Sequence, residues 1–307
     1  MRRWSDLSPA RGRGETPGME RKERRTARMF KWIGIAVGAM VVVLYVFLPV
    51  GIGVVSVWPA RGDVGDAPEG FADVAVGTRD GETLAAWYRP AMAETAVLVT
   101  HGAGGSRDSV REYVEFLAEA GYGVLAVDLR GHGESTGKTN RLGWNGTADV
   151  RAAVDFLKAQ GAKRIVGLGL SMGGEVLLGA ASQVPELEAI VADGATRRST
   201  SELLALPSER PLWRSFTARL MFATSGLLSG DPEPLPLLES MAASRARFLL
   251  IAGGDAETEV AFNERFAETL GDRAMLWVAP GAGHTQAHAV YPDEYEARVL
   301  AFFFVAP

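Results

Sequence analysis

Six short apolar runs alternate with amphipathic stretches through residues 96–305, and that rhythm leaves the chain few architectures. The runs are "AVLVTHG" (96–102), "YGVLAVDLRGHG" (122–133), "RIVGLGLS" (164–171), "LEAIVADGA" (187–195), "RFLLIAGGD" (247–255) and "AMLWVAPGAGH" (274–284). Between them lie stretches with helical spacing, among them "RDSVREYVEFLAEAG", "GTADVRAAVDFLKAQG" and "VAFNERFAETLG". Short apolar strands alternating with amphipathic helices imply an α/β fold, a mostly parallel sheet with helices on both faces. Working residues in such sheets sit on loops beyond the carboxyl ends of the strands. Upstream, two apolar stretches flank Asp80-Gly81, a hairpin signal. An irregular segment at 196–245 breaks the rhythm and is the place for a small cap insertion. Within it, "PLWRSFTARLMFATSGLL" (211–228) sets Leu212, Trp213, Phe216 and Leu220 at near-helical spacing, the pattern of a cap helix or a membrane-facing surface. One domain over 71–307 is the economical reading.

The front of the chain follows a different logic. From Trp32 to Val57 no residue is charged, over 26 positions, and about 20 apolar residues suffice to cross a bilayer core as a helix. Arg21, Lys22, Arg24, Arg25, Arg28 and Lys31 precede the run, whereas Arg61 and then Asp63, Asp66 and Glu69 follow it. The positive-inside rule then predicts a single-pass anchor with a cytoplasmic N-terminus and the body on the extracytoplasmic side. A cleavable signal peptide would have a shorter apolar region and small residues before the cut, and bulky Trp58 stands two places before Ala60. Residues 1–31 read as a disordered basic tail and 58–70 as a linker. The net charge is −5. The first 31 residues carry ten Lys/Arg and four Asp/Glu, a charge of +6, so the remainder carries −5 − 6 = −11. An acidic body is a poor nucleic-acid binder, since phosphate contacts need clustered cations, so nucleic acid is not an expected partner. Cysteine is absent, which excludes disulfides, thiol nucleophiles and cysteine metal sites.

Within "VGLGLSMGGEV" (166–176), Ser171 is surrounded by Gly167, Gly169, Gly173 and Gly174. Neither a strand nor a helix favours glycine, so a special geometry must require it. Gly169-Leu170-Ser171-Met172-Gly173 matches G-x-S-x-G, with a strand before it and a helix after it. In that nucleophile elbow the serine takes strained backbone angles and its neighbours must be small. A phosphate-binding turn is the competing reading, but Gly167-x-Gly169-x-x-Met172 lacks the third glycine of the dinucleotide pattern.

With these residues the chain resembles the α/β-hydrolase superfamily over nearly all of 71–307. "HGAGGSR" (101–107) stands where that family places its oxyanion loop, "DLRGHGES" (128–135) resembles the loop after its fourth strand, and "GAGH" (281–284) falls where its catalytic histidine sits. The family's chain order, Ser then Asp/Glu then His, leaves only His284 and His288 late enough to be the base, and His284 lies in the strand-end loop. The resemblance puts the acid shortly after "RFLLIAGG"; Asp255 is the first choice, Glu257 the second, and Asp193 a minor alternative. It also implies an oxyanion hole formed by the N–H groups of Met172 and Ala103. Ser171 would attack a carbonyl carbon, His284 would take its proton, and the acid would orient the imidazole.

The expected function is a membrane-anchored serine hydrolase acting on a small-molecule or lipid-like carboxylic ester. Thioester, amide and short-peptide hydrolysis use the same constellation, and a non-catalytic ligand-binding homologue is the alternative outside the enzymes. No cofactor is implied. A metal held by His284 and His288 lacks a matching carboxylate motif.

Overall fold

The uncharged run near the front of the chain is helical. Helix α1 (Pro17–Val42) passes through a π-helical turn (Val43–Phe47) into α2 (Leu48–Ser56). The computed structural model describes residues 17–92, 94–138, 141–205 and 212–305. Of the expected basic tail, residues 1–16 lie outside the described residues, whereas 17–31 form the start of α1. Pro17 suits a first helical position and the Glu, Lys and Arg residues behind it are good helix formers. The stretch Arg24–Ser56 is long and apolar enough to cross a membrane, and only 6% of its most apolar window is buried. By its internal contacts the chain divides into two compact units, Met1–Leu48 and Pro49–Pro307.

In the second unit the apolar runs become an eight-stranded sheet. Its strands are β1 (Ala72–Gly77), β2 (Thr83–Arg89), β3 (Thr95–Thr100), β4 (Gly123–Val127), β5 (Arg164–Leu170), β6 (Leu187–Asp193), β7 (Arg247–Gly253) and β8 (Ala274–Ala279). The order across the sheet is β8-β7-β6-β5-β3-β4-β2-β1. Strand β2 runs antiparallel to β1 and β4, and every other pairing is parallel. Asp80-Gly81 turns the β1–β2 hairpin, with Gly81 at φ +93°.

The strands alternate between two cores, as a period of two requires. On β3, Ala96 and Leu98 join one core while Val97 and Val99 join the other. Helices α4 (Gly146–Ala159), α5 (Met172–Ala180), α8 (Leu237–Ala243) and α9 (Glu257–Leu270) cover the first face, through residues such as Leu157, Val176, Met241 and Phe266. Helices α3 (Arg111–Glu119) and α10 (Pro292–Val305) cover the second through Leu117, Tyr295, Val299 and Phe303. Each fully buried Leu, Val or Phe contributes about 1.5–3 kcal/mol.

One segment differs in character from its sequence appearance. The stretch 58–70, expected as a linker, lies along the body: Ala60–Arg61 pairs in parallel with His132–Gly133, and Arg111 Nη2 donates to Asp66 O at 2.7 Å. Its polar, Gly- and Pro-rich composition conceals these contacts because they are made mainly by backbone. The cap segment holds α6 (Thr200–Ala205) and α7 (Leu212–Ser229); residues 206–211 and the side chains of Leu212 and Trp213 lie outside the described residues. Helix α7 seats Phe222 against Trp144, with ring planes 6° apart and centroids 6.1 Å apart, and Leu203 completes this small cluster.

Candidate active site

The turn from β5 into α5 explains the ring of glycines. Ser171 adopts φ 49° and ψ −117°, a left-handed conformation that costs on the order of 1–3 kcal/mol for a residue with a Cβ. The turn closes so tightly that a Cβ on Gly169 would lie 2.5 Å from the carbonyl carbon of Gly173, and one on Gly173 would lie 2.4 Å from Thr100 O. Those two positions therefore admit only hydrogen. The Ser171 N–H donates to Asp193 O at 2.7 Å, tying the turn to the end of β6.

His284 reaches this serine from the loop after β8. Its Nε2 lies 2.9 Å from Ser171 Oγ and its Nδ1 lies 2.7 Å from Glu259 Oε2. A carboxylate against Nδ1 fixes the proton there, which leaves Nε2 to accept from the serine hydroxyl. The Glu259 hydrogen bond raises the His284 pKa above its ordinary 6.5, outweighing the opposing effect of partial burial. Glu259 itself is buried, and its Oε1 accepts the Gly253 N–H at 2.8 Å. The end of β7 thus holds the carboxylate in place.

The carboxylate beside His284 is therefore neither of the two expected from the sequence. Asp255 and Glu257 are both exposed, and the Asp255 backbone N–H is engaged with Ala282 O. Their location before or at the first residue of α9 turns them to solvent. Glu259 sits two residues on from Glu257, roughly 200° further around the helix, on the face that buries Phe262, Asn263, Phe266 and Leu270. A glutamate at the head of an apolar stripe was the available signal, because carboxylates are almost never buried without a partner.

Asp193, the third carboxylate considered, is fully buried at the end of β6, and neither of its oxygens has a well-formed hydrogen bond. The hydroxyl of Tyr295, also buried, faces it without good hydrogen-bond geometry. Burial, reinforced by the charge of Glu259, pushes its pKa up to about 7. The unfolded chain ionises this group near 3.8, so between pH 4 and 7 the native state binds more protons. Stability contributed by Asp193 is therefore present at low pH and falls as pH rises through that window, by on the order of 4 kcal/mol in all. Asp193→Asn is expected to melt above wild type at pH 8 and to lose most of this slope, as read by thermal unfolding at pH 5 and pH 8. An unaltered slope contradicts the assignment.

The two expected oxyanion donors border the same space. Met172 is the first residue of α5, so its N–H has no acceptor within the helix. Ala103 lies exposed in the loop after β3, beside Gly102, where an added Cβ would be 3.6 Å from Ser171 Cβ. His101 shapes this loop from below. Its Nε2 accepts the Leu129 N–H at 3.1 Å, so Nδ1 donates to Gly102 O at 2.8 Å, and burial lowers its pKa to about 4. Asp128 fastens the next loop by accepting from the N–H groups of Arg107 and Glu134 and pairing with the Arg107 guanidinium. His288 lies away from the serine, packed on Tyr113 and Phe116 and paired with Glu112 and Glu296. Among the described residues no group of three or more His, Asp or Glu is placed to hold a metal ion.

A family model described as "Alpha/beta hydrolase family" matches residues 96–298. An uncharacterized protein of Mycobacterium tuberculosis is 30% identical over 254 residues, covering 79% of this chain and 82% of its own length. An esterase of Pyrococcus furiosus superposes with a TM-score of 0.64 at 28% identity, covering 80% of this chain and 97% of that one. A thermostable monoacylglycerol lipase of a Bacillus species is 38% identical over 98 residues, which is 31% of this chain and 38% of the lipase.

Proposed function

The chain belongs to the α/β-hydrolase family, and from that premise we propose that it is a membrane-anchored serine hydrolase of carboxylic esters. The observation that carries the reading is the continuous line of hydrogen bonds from Glu259 through His284 to Ser171. Ser171 Oγ attacks the ester carbonyl as His284 Nε2 takes its proton. Glu259 holds the tautomer and stabilises the imidazolium that forms. The N–H groups of Met172 and Ala103 receive the oxyanion. His284 then protonates the leaving alcohol, and the acyl group stays on Ser171 until a water, activated by the same imidazole, releases it.

Ester rather than thioester or amide is favoured by the relatives named an esterase and a lipase. The anchor reading is supported by the apolar helix Arg24–Ser56 and by its last turns, which are integrated in the body: Gly53 and Ser56 are buried there. Cleavage after Ala60 would remove a packed part of the fold. The reading is tested by turnover of a series of p-nitrophenyl esters by the full chain. Wild type is expected to hydrolyse them, with kcat about 10⁶-fold lower in Ser171→Ala and in His284→Ala. Equal turnover by wild type and Ser171→Ala rejects the reading.

A further inference from the structure

Helix α2 is not merely the end of an apolar run. Its buried residues, Pro49, Gly53 and Ser56, lie on one face, and that face is packed on cap helix α7. A Cβ added at Gly53 would stand 2.7 Å from Thr224 Cβ and 2.8 Å from Met221 O. Ser56 Oγ donates to Gly53 O at 2.7 Å and is hydrogen-bonded to Ser225 Oγ, which is fully buried. Small residues facing small residues, with hydroxyls bonded across the seam, let two helices approach as pairs within membranes do. The seam also reaches the rim of the catalytic site. Ser56 O accepts the Arg141 N–H at 2.8 Å, and the Arg141 guanidinium lies over the 101–105 loop, 3.8 Å from where a Cβ on Gly104 would be.

Helix α7 has two occupied faces and one open one. Met221, Thr224 and Ser225 face α2, while Phe222 and Gly226 face Trp144 on the body. At 100° per residue, Phe216, Leu220, Ala223 and Leu227 form a third stripe beside the α2 flank. Phe216 is 52% exposed and Leu227 84%, with Arg219 at the stripe's edge.

We propose that α7 beds in the membrane interface with this stripe toward the acyl chains, so that the cap is fixed to the anchor and the site takes a lipid ester from the bilayer. The proposal rests on the anchored-hydrolase reading above. Chain length selects the bilayer as the occupant of the stripe. Of the uncharged run, the part before the docked turns, Trp32–Leu48, is about 17 residues, or roughly 25 Å of helix. The hydrocarbon core is about 30 Å thick. Counted along the chain, the core must reach into the turns locked to α7, which brings α7 to the acyl–headgroup boundary. An amphipathic helix with one basic residue at its edge suits that depth.

The test uses the full chain in phosphatidylcholine–phosphatidylglycerol vesicles. The native sequence has no cysteine, so Ala223→Cys, Leu227→Cys, Val41→Cys and Glu268→Cys each give a single site for an environment-sensitive fluorophore. Blue-shifted emission quenched by shallow nitroxide lipids is expected at 223 and 227, deep quenching at 41, and aqueous emission at 268. Deep quenching at 41 with aqueous emission at 223 and 227 overturns the proposal and leaves the anchor standing, whereas aqueous emission at 41 rejects both. The substrate half is tested with Ala223→Asp/Leu227→Asp. The ratio of activity on a long-chain acylglycerol in vesicles to activity on a short soluble ester is expected to fall about tenfold; an unchanged ratio overturns it.

Discussion

Glu259→Gln is expected to lower kcat by three to four orders of magnitude, while Asp255→Asn and Glu257→Gln stay close to wild type. Glutamine keeps the shape of the side chain and can still accept the Gly253 N–H, so the fold survives the change. Its amide can also present N–H to His284 and so favour the wrong tautomer, and it removes the charge that stabilises imidazolium. Loss of the acid from a Ser-His-acid triad costs about 10⁴ in kcat. The pH profile gives an independent sign. The base must be neutral to act, so activity rises with pH through the His284 pKa, which Glu259 holds above 6.5. Without that carboxylate the acid limb moves to lower pH even as the plateau falls. A large loss in Asp255→Asn with little in Glu259→Gln would return the acid to the loop.

A second large effect is expected at Gly173. Alanine there would set its Cβ 2.4 Å from Thr100 O and 2.7 Å from His101 O, both backbone atoms at the end of β3. No rotamer change relieves a clash with backbone, so α5 must move off the sheet or the 101–105 loop must move away. Overpacking a core typically costs about 1–3 kcal/mol and occasionally more, and here the displaced backbone is also the site. Gly173→Ala is expected to lower the thermal midpoint by at least several degrees and to abolish ester turnover in whatever remains folded. Gly81→Ala serves as a contrast, because a Cβ there meets nothing within 4 Å and pays only for its positive φ. Equal midpoints for Gly173→Ala and wild type would show that the elbow has slack.

The strands and the elbow were legible because their signals are local. Valine- and leucine-rich runs ending in glycine declare buried strands, and G-x-S-x-G between a strand and a helix declares the turn that Ser171 occupies. His284 was reachable through the family's chain order, and the structure sets it against Ser171. The carboxylate beside His284 was not reached, because it is chosen by three-dimensional reach rather than by position after a strand. Asp255 and Glu257 look well placed in the sequence, yet the helical turn carries them outward and brings Glu259 inward. The docking of 58–70 and the α2–α7 seam were hidden for a related reason. Their contacts are made by backbone groups and by Gly53, Ser56 and Ser225, residues whose small size leaves no hydrophobic pattern to read.

The proposed chemistry requires Ser171 to be an activated nucleophile. The direct measurement is mass spectrometry of the full chain after reaction with a fluorophosphonate, with peptide mapping of the adduct. One phosphonyl group on Ser171, formed by wild type and at least about a thousandfold more slowly by Glu259→Gln, is the expected result. A folded wild-type protein left unlabelled, or labelled at a serine other than Ser171, would contradict it.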